Sequence, residues 1–271
     1  MTTDTAHDCN GVTLHAETFG DPADPAVLLV HGACASMLWW EEELCRRIAA
    51  AGRYVVRYDQ RDTGRSTSFP PGEPGYGLRD LAADAVALLD ALGIDRAHVV
   101  GRSMSGGVAL VLGVDHPDRV RSLTLVSTTT GELPMGSLDV PPDPDPGDPA
   151  AVVEYLVEAF RAYAGGSAHF DEDTTRALAA ADVARTRDLR ATMTNHFAMD
   201  FDGPRGGGWG DLRVPTLVVQ GELDPVFPPV HGQALRDAVP GARLVVLPGS
   251  GHDVLEPVWD RFVAELVEHT S

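Results

Sequence analysis

Short apolar runs alternate with amphipathic stretches along most of this chain. Ala26-Val-Leu-Leu-Val30 is apolar at every position, which predicts a strand buried on both faces. Ser36 stands where it would cap a helix running toward Ala51, stopped by Gly52. Residues 78–92 carry Leu81, Val86, Leu88, Leu89 and Leu92 at helical spacing and end at Gly93. The same reading predicts strands at 53–58, 97–100, 120–126, 215–220 and 242–247, and helices at 104–114, 229–238 and 256–268. Strands that alternate with helices imply an α/β fold, a mostly parallel sheet with helices on both faces.

The alternation breaks after Thr130. Pro134, Pro141, Pro142, Pro144, Pro146 and Pro149 follow in quick succession, a density that no helix or central strand survives. Helical segments are predicted at 150–164 and 172–198, followed by Gly206-Gly-Gly-Trp-Gly210. Residues 1–130 and 211–271 therefore read as one α/β core, and 131–210 as an inserted, mainly helical cap.

Composition narrows the chemistry. The chain has 271 residues, 44% of them hydrophobic and 23% charged, which suits one large globular domain with an insertion. A net charge of −19 repels phosphate backbones, so nucleic acid is not an expected partner. All 21 basic residues are arginine. Without lysine there is no Schiff base, no Ser-Lys dyad and no phosphate-binding P-loop. Three cysteines (Cys9, Cys34 and Cys45) do not make a disulfide framework and suit a reducing, cytoplasmic setting. Residues 1–8 show no basic or apolar signal-peptide region, and no apolar run approaches the roughly 18 residues that span a bilayer, so no membrane association is expected.

The strongest local signal is Val99-Val-Gly-Arg-Ser103-Met-Ser-Gly-Gly107. A strand, a glycine and then a serine opening a helix describe a nucleophile elbow, which lifts the serine oxygen above the carboxyl edge of the sheet. The pattern G-x-S-x-G is broken at its last position by Ser105, and a second register would make Ser105 the nucleophile. Ser103 is preferred because it follows the strand by one glycine and one residue. His31-Gly-Ala33 follows the first core strand, and the backbone amides of Ala33 and Met104 are the expected oxyanion-hole donors. His31 reads as a structural residue.

A serine hydroxyl needs a base, and the base an orienting acid. Asp224, in Gly221-Glu-Leu-Asp-Pro225, and His252, in Gly249-Ser-Gly-His-Asp253, each follow a predicted strand. Ser103, Asp224 and His252 then stand in the chain order this architecture uses. Glu222 and Asp253 are rival acids, expected to point elsewhere. Trp39, Trp40, Arg102 and Phe197 are candidate substrate contacts, although core packing competes for the tryptophans and an ion pair for Arg102. No cofactor or metal is expected; the partner is a small-molecule substrate.

Together these motifs resemble the α/β-hydrolase superfamily. The resemblance is carried by 27–40, 58–66, 97–107, 115–120 and the Asp224 and His252 segments. Within the superfamily, Leu38-Trp-Trp40, Arg57–Ser66 and Asp95–Gly101 are similar to the aclacinomycin methylesterase group, whose members hydrolyse a carboxymethyl ester on a glycosylated polyketide. The resemblance implies a serine carboxylic-ester hydrolase acting on a bulky polyketide-like ester. Two alternatives remain open from sequence. One is triad-dependent acyl transfer or lactone formation in natural-product synthesis; the other is a non-hydrolytic binding or cyclising scaffold.

Overall fold

The structure, a computed structural model, describes residues 4–271. Eight strands form one sheet: β1 (Thr5–Cys9), β2 (Val12–Phe19), β3 (Ala26–Val30), β4 (Tyr54–Tyr58), β5 (Ala97–Arg102), β6 (Val120–Val126), β7 (Thr216–Gly221) and β8 (Arg243–Leu247). Their order across the sheet is β1-β2-β4-β3-β5-β6-β7-β8. β1, β2 and β4 pair antiparallel, and every pairing from β4 through β8 is parallel. All parallel strands therefore end at one carboxyl edge, where this architecture places its ligands.

Alternation within each strand fills two cores. Leu28, Val30 and Val99 face the side covered by α2 (Leu78–Ala91), α3 (Ser105–Asp115) and α7 (Val230–Ala238). Val27, Leu29 and Val100 face the side covered by α1 (Glu42–Ala50) and α8 (Trp259–His269). Three helices lie between β6 and β7: α4 (Pro149–Tyr163), α5 (Glu172–Arg185) and α6 (Leu189–Ala198). The helix expected over 172–198 is two, because Thr186 turns extended and the Asp188 side chain caps α6 by accepting from the Ala191 amide. α4 and α5 share a small core with Ala35 and Trp39 of the segment after β3. Among the described residues no helix is long and apolar enough to cross a membrane.

At the amino end of β5, His98 is buried, with its Nδ1 2.8 Å from Ser122 Oγ. Burial, and then the charges of Arg121 and Arg53, lower its pKa from 6.5 to about 4. Between those values the unfolded chain takes up a proton that the fold refuses, so this residue makes stability fall as pH falls. His98→Gln should flatten that decline by about 1 kcal/mol between roughly pH 6 and pH 5. Urea midpoints of both proteins at the two pH values measure the difference; parallel declines would contradict the assignment.

Candidate active site

Between β5 and α3 the chain reverses through Ser103, whose φ is +53°. A non-glycine residue in this left-handed region costs about 1–2 kcal/mol, and here the surroundings enforce it. The Ser103 amide donates to Val126 O at 3.0 Å, and its carbonyl accepts from the Gly106 amide at 2.9 Å and from Thr128 Oγ1 at 2.7 Å. The turn closes only over small residues. A Cβ on Gly101 would lie 2.3 Å from Ser105 O, and one on Gly106 2.2 Å from Thr128 Oγ1.

Ser105, where the motif expects glycine, has a structural task. It is fully buried, and its hydroxyl donates to the His31 carbonyl. The same carbonyl accepts from Gln60 Nε2 at 2.7 Å. Ser105 thus ties the first turn of α3 to the loop after β3. Ser103 Oγ is in no such bond and sits at the half-buried apex of the turn.

Asp224 and His252 meet at the ends of β7 and β8. His252 Nδ1 lies 3.0 Å from each Asp224 carboxylate oxygen. Asp224 Oδ1 also accepts from the amides of Val226 (2.9 Å) and Phe227 (3.0 Å), and Oδ2 from Gln220 Nε2 at 3.2 Å. A carboxylate surrounded by donors requires the hydrogen of the neutral imidazole on Nδ1, which leaves Nε2 as an acceptor. The loops fit because they are glycines at contact: a Cβ on Gly221 would lie 1.8 Å from Gly251 O. The His252 amide donates to Tyr163 O at 2.9 Å, and its ring is flanked by Tyr163 and Phe227, each with centroids 5.7 Å away. Of the rival acids, Glu222 accepts from the Gly249 amide and Asp253 pairs with Arg102.

Of the two expectations for Arg102, the ion pair is the one present. Arg102 is buried, paired with Asp253 and stacked 5.6 Å over the Trp40 ring, so it is no open substrate contact. It joins the neighbour of Ser103 to the neighbour of His252 and so fastens the elbow to the histidine loop. Trp40 is also interior, between His31 and Phe262. Trp39 donates through Nε1 to Asp182 at 2.7 Å and stacks on Phe160, joining the loop after β3 to α4 and α5. Phe197 is 69% exposed on α6. Tyr163 and Phe227 are the aromatics that lie beside His252.

The loop after β3 lies against the elbow: a Cβ on Gly32 would come 3.0 Å from Ser103 Cβ. Among the described residues, neither the Ala33 nor the Met104 amide has an acceptor, so both are free to donate beside Ser103. Among the described residues, the His31 ring nitrogens have no hydrogen-bond partners. Burial, and then the Arg102 charge, hold that imidazole well below its usual range, so it stays neutral. His31 serves the loop through its carbonyl rather than its ring. Burial, and then Asp143 and Asp62, push the Cys34 thiol up to about 12, which leaves it no thiolate at neutral pH.

Sequence reasoning missed several residues that surround this site: Gln60, Thr128, Phe227 and His196. Gln60 and Phe227 lie within or beside the motif segments, but nothing local marks Thr128 or His196; Tyr163 is one of the insertion's aromatics, which suit either a planar apolar ligand or a core.

Comparison with known proteins agrees with this fold. A family model described as the alpha/beta hydrolase fold matches residues 25–257. Rhodomycin D methylesterase DauP of Streptomyces sp. (strain C5) is 34% identical over 285 residues, covering 96% of this chain and 95% of that protein. Rhodomycin D methylesterase DnrP of Streptomyces peucetius is also 34% identical, over 286 residues, with 96% and 95% covered. Among solved structures, the enol-lactonase from Burkholderia xenovorans LB400 has a TM-score of 0.77 and 24% identity, covering 98% of this chain and 99% of that one, a likeness of fold. The expected resemblance to the methylesterase group is thereby borne out, and the chain, a hydrolytic enzyme, belongs to the α/β-hydrolase family.

Proposed function

We propose that the protein is a serine carboxylic-ester hydrolase that uses Ser103, His252 and Asp224. The observation that carries this is a buried Asp224–His252 pair, tied by the Arg102–Asp253 bridge to an elbow that holds a serine at φ +53°. Ser103 Oγ attacks the ester carbonyl carbon while His252 Nε2 takes its proton. The negative charge that develops on the carbonyl oxygen falls to the amides of Ala33 and Met104, each worth roughly 3–4 kcal/mol in the transition state. The intermediate collapses, the C–O bond to the leaving alcohol breaks, and the alcohol departs with the proton from His252. Water then gives a proton to His252 and attacks the acyl-enzyme, and its collapse returns the proton to Ser103 as the free acid leaves. Asp224 holds Nδ1–H and stabilises the imidazolium.

The substrate class rests on the 34% identity with rhodomycin D methylesterases and on the aromatic surroundings of His252. Both favour a methyl or similar ester on a bulky, planar, polyketide-like scaffold. Products separated by mass test the reading. A polyketide methyl ester should give free acid and methanol in equal amounts. A cyclised or transferred acyl product without free acid would instead establish acyl transfer.

A further inference from the structure

The loop bearing Ala33 is clamped on both sides. On the sheet side, Ser105 and Gln60 hold the His31 carbonyl, which shares a peptide unit with Gly32. On the other side, the Cys34 amide, which shares a peptide unit with Ala33, donates to His196 Nδ1 at 2.9 Å. Cys34 itself has φ +59°, a conformation that an unbranched L-residue adopts at a cost and keeps only when held. The Ala33 amide lies between these two fixed peptide units.

His196 is suited to hold its side. It is fully buried, and its Nε2 lies 2.9 Å from Arg61 O. A carbonyl can only accept and an amide can only donate, so the ring carries its hydrogen on Nε2 and its lone pair on Nδ1. Burial lowers its pKa, which keeps that lone pair available. The helix behind it is fastened to the segment after β4. Asn195 accepts from the Gly72 amide at 2.7 Å, and Thr192 Oγ1 donates to Asp62 O. The ring therefore transmits a fixed position, from a residue 162 positions away in the chain.

We propose that His196, on inserted helix α6, is a positioning residue for catalysis: through Nδ1 it holds the Cys34 amide and so aims the adjacent Ala33 amide at the oxygen that develops charge. This rests on the oxyanion role given above to Ala33. The insertion thus completes the catalytic machinery as well as covering it, and α6 stays docked during turnover.

Two half-mimics of imidazole test this without emptying the site. In His196→Asn the side-chain oxygen can occupy the place of Nδ1 and accept from Cys34. In His196→Gln the amide reaches the place of Nε2 and serves Arg61 instead. With an aryl ester, His196→Asn should keep kcat within about threefold of the parent, whereas His196→Gln should lose about 10- to 100-fold in kcat with KM within about twofold. Affinity for a trifluoromethyl ketone, whose adduct with serine places an oxyanion in the hole, should fall in step with kcat. Equal kcat in the two variants, a loss carried by KM, or unchanged ketone affinity alongside reduced kcat overturns the assignment. Ser103→Ala run beside them separates the two claims. If Ser103→Ala is inactive and His196→Gln fully active, only the role of His196 fails; if Ser103→Ala turns over, the serine-hydrolase reading fails.

Discussion

Ser103→Ala should lower kcat for ester hydrolysis by about a millionfold, because nucleophile and base act as one unit and neither contributes alone. The residual rate should reflect the free amides of Ala33 and Met104, which the substitution leaves in place. Structure should survive: Ser103 makes its bonds to Val126, Gly106 and Thr128 through its backbone. Ser103→Gly should be equally inactive yet about 1 kcal/mol more stable, since glycine relieves the left-handed strain at φ +53°. Single-turnover kinetics and urea unfolding read the two effects separately. Retention of a few per cent of turnover in either variant would remove Ser103 from the chemistry.

Asp224→Asn should cost about ten-thousandfold in kcat, chiefly through the wrong imidazole tautomer. The amide oxygen of asparagine must take the Oδ1 position, where the Val226 and Phe227 amides donate. Its NH2 then faces His252 Nδ1, which has to give up its hydrogen and accept. The hydrogen moves to Nε2, and the ring can no longer take a proton from Ser103. Gln220 Nε2, which donates to Oδ2 in the parent, also meets a donor there. KM should change little, since Asp224 is buried behind His252. Steady-state kinetics measure the split; a loss confined to KM would mean that Asp224 shapes binding rather than base chemistry.

How much of this was legible in the sequence depends on how local the deciding contacts are. β3 falls at Ala26–Val30, where an unbroken apolar run predicts it, and β6 at Val120–Val126, as predicted. The single helix expected from Ser36 to Ala51 is instead a short turn at Met37–Trp39 and then α1. A distant side chain claims a backbone group that a continuous helix would use: the Arg57 guanidinium takes the Trp40 carbonyl. β1 and β2 carry no strong apolar run, although Asn10-Gly11, both with positive φ, is a hairpin signal between them. The placement of Ser103, Asp224 and His252 after strand ends was legible because each lies in a compact motif that follows an apolar run. His196 was not, because its partners belong to the loops after β3 and β4 and only the folded chain brings them to α6.

The proposed chemistry depends on which residue becomes acylated. Peptide mass mapping after reaction with a fluorophosphonate tests it most directly. The protein should gain one phosphonyl group, on Ser103, and Ser103→Ala should gain none. A label on Ser105 or any other residue, or an unlabelled Ser103 in protein that the reagent has inactivated, would contradict it.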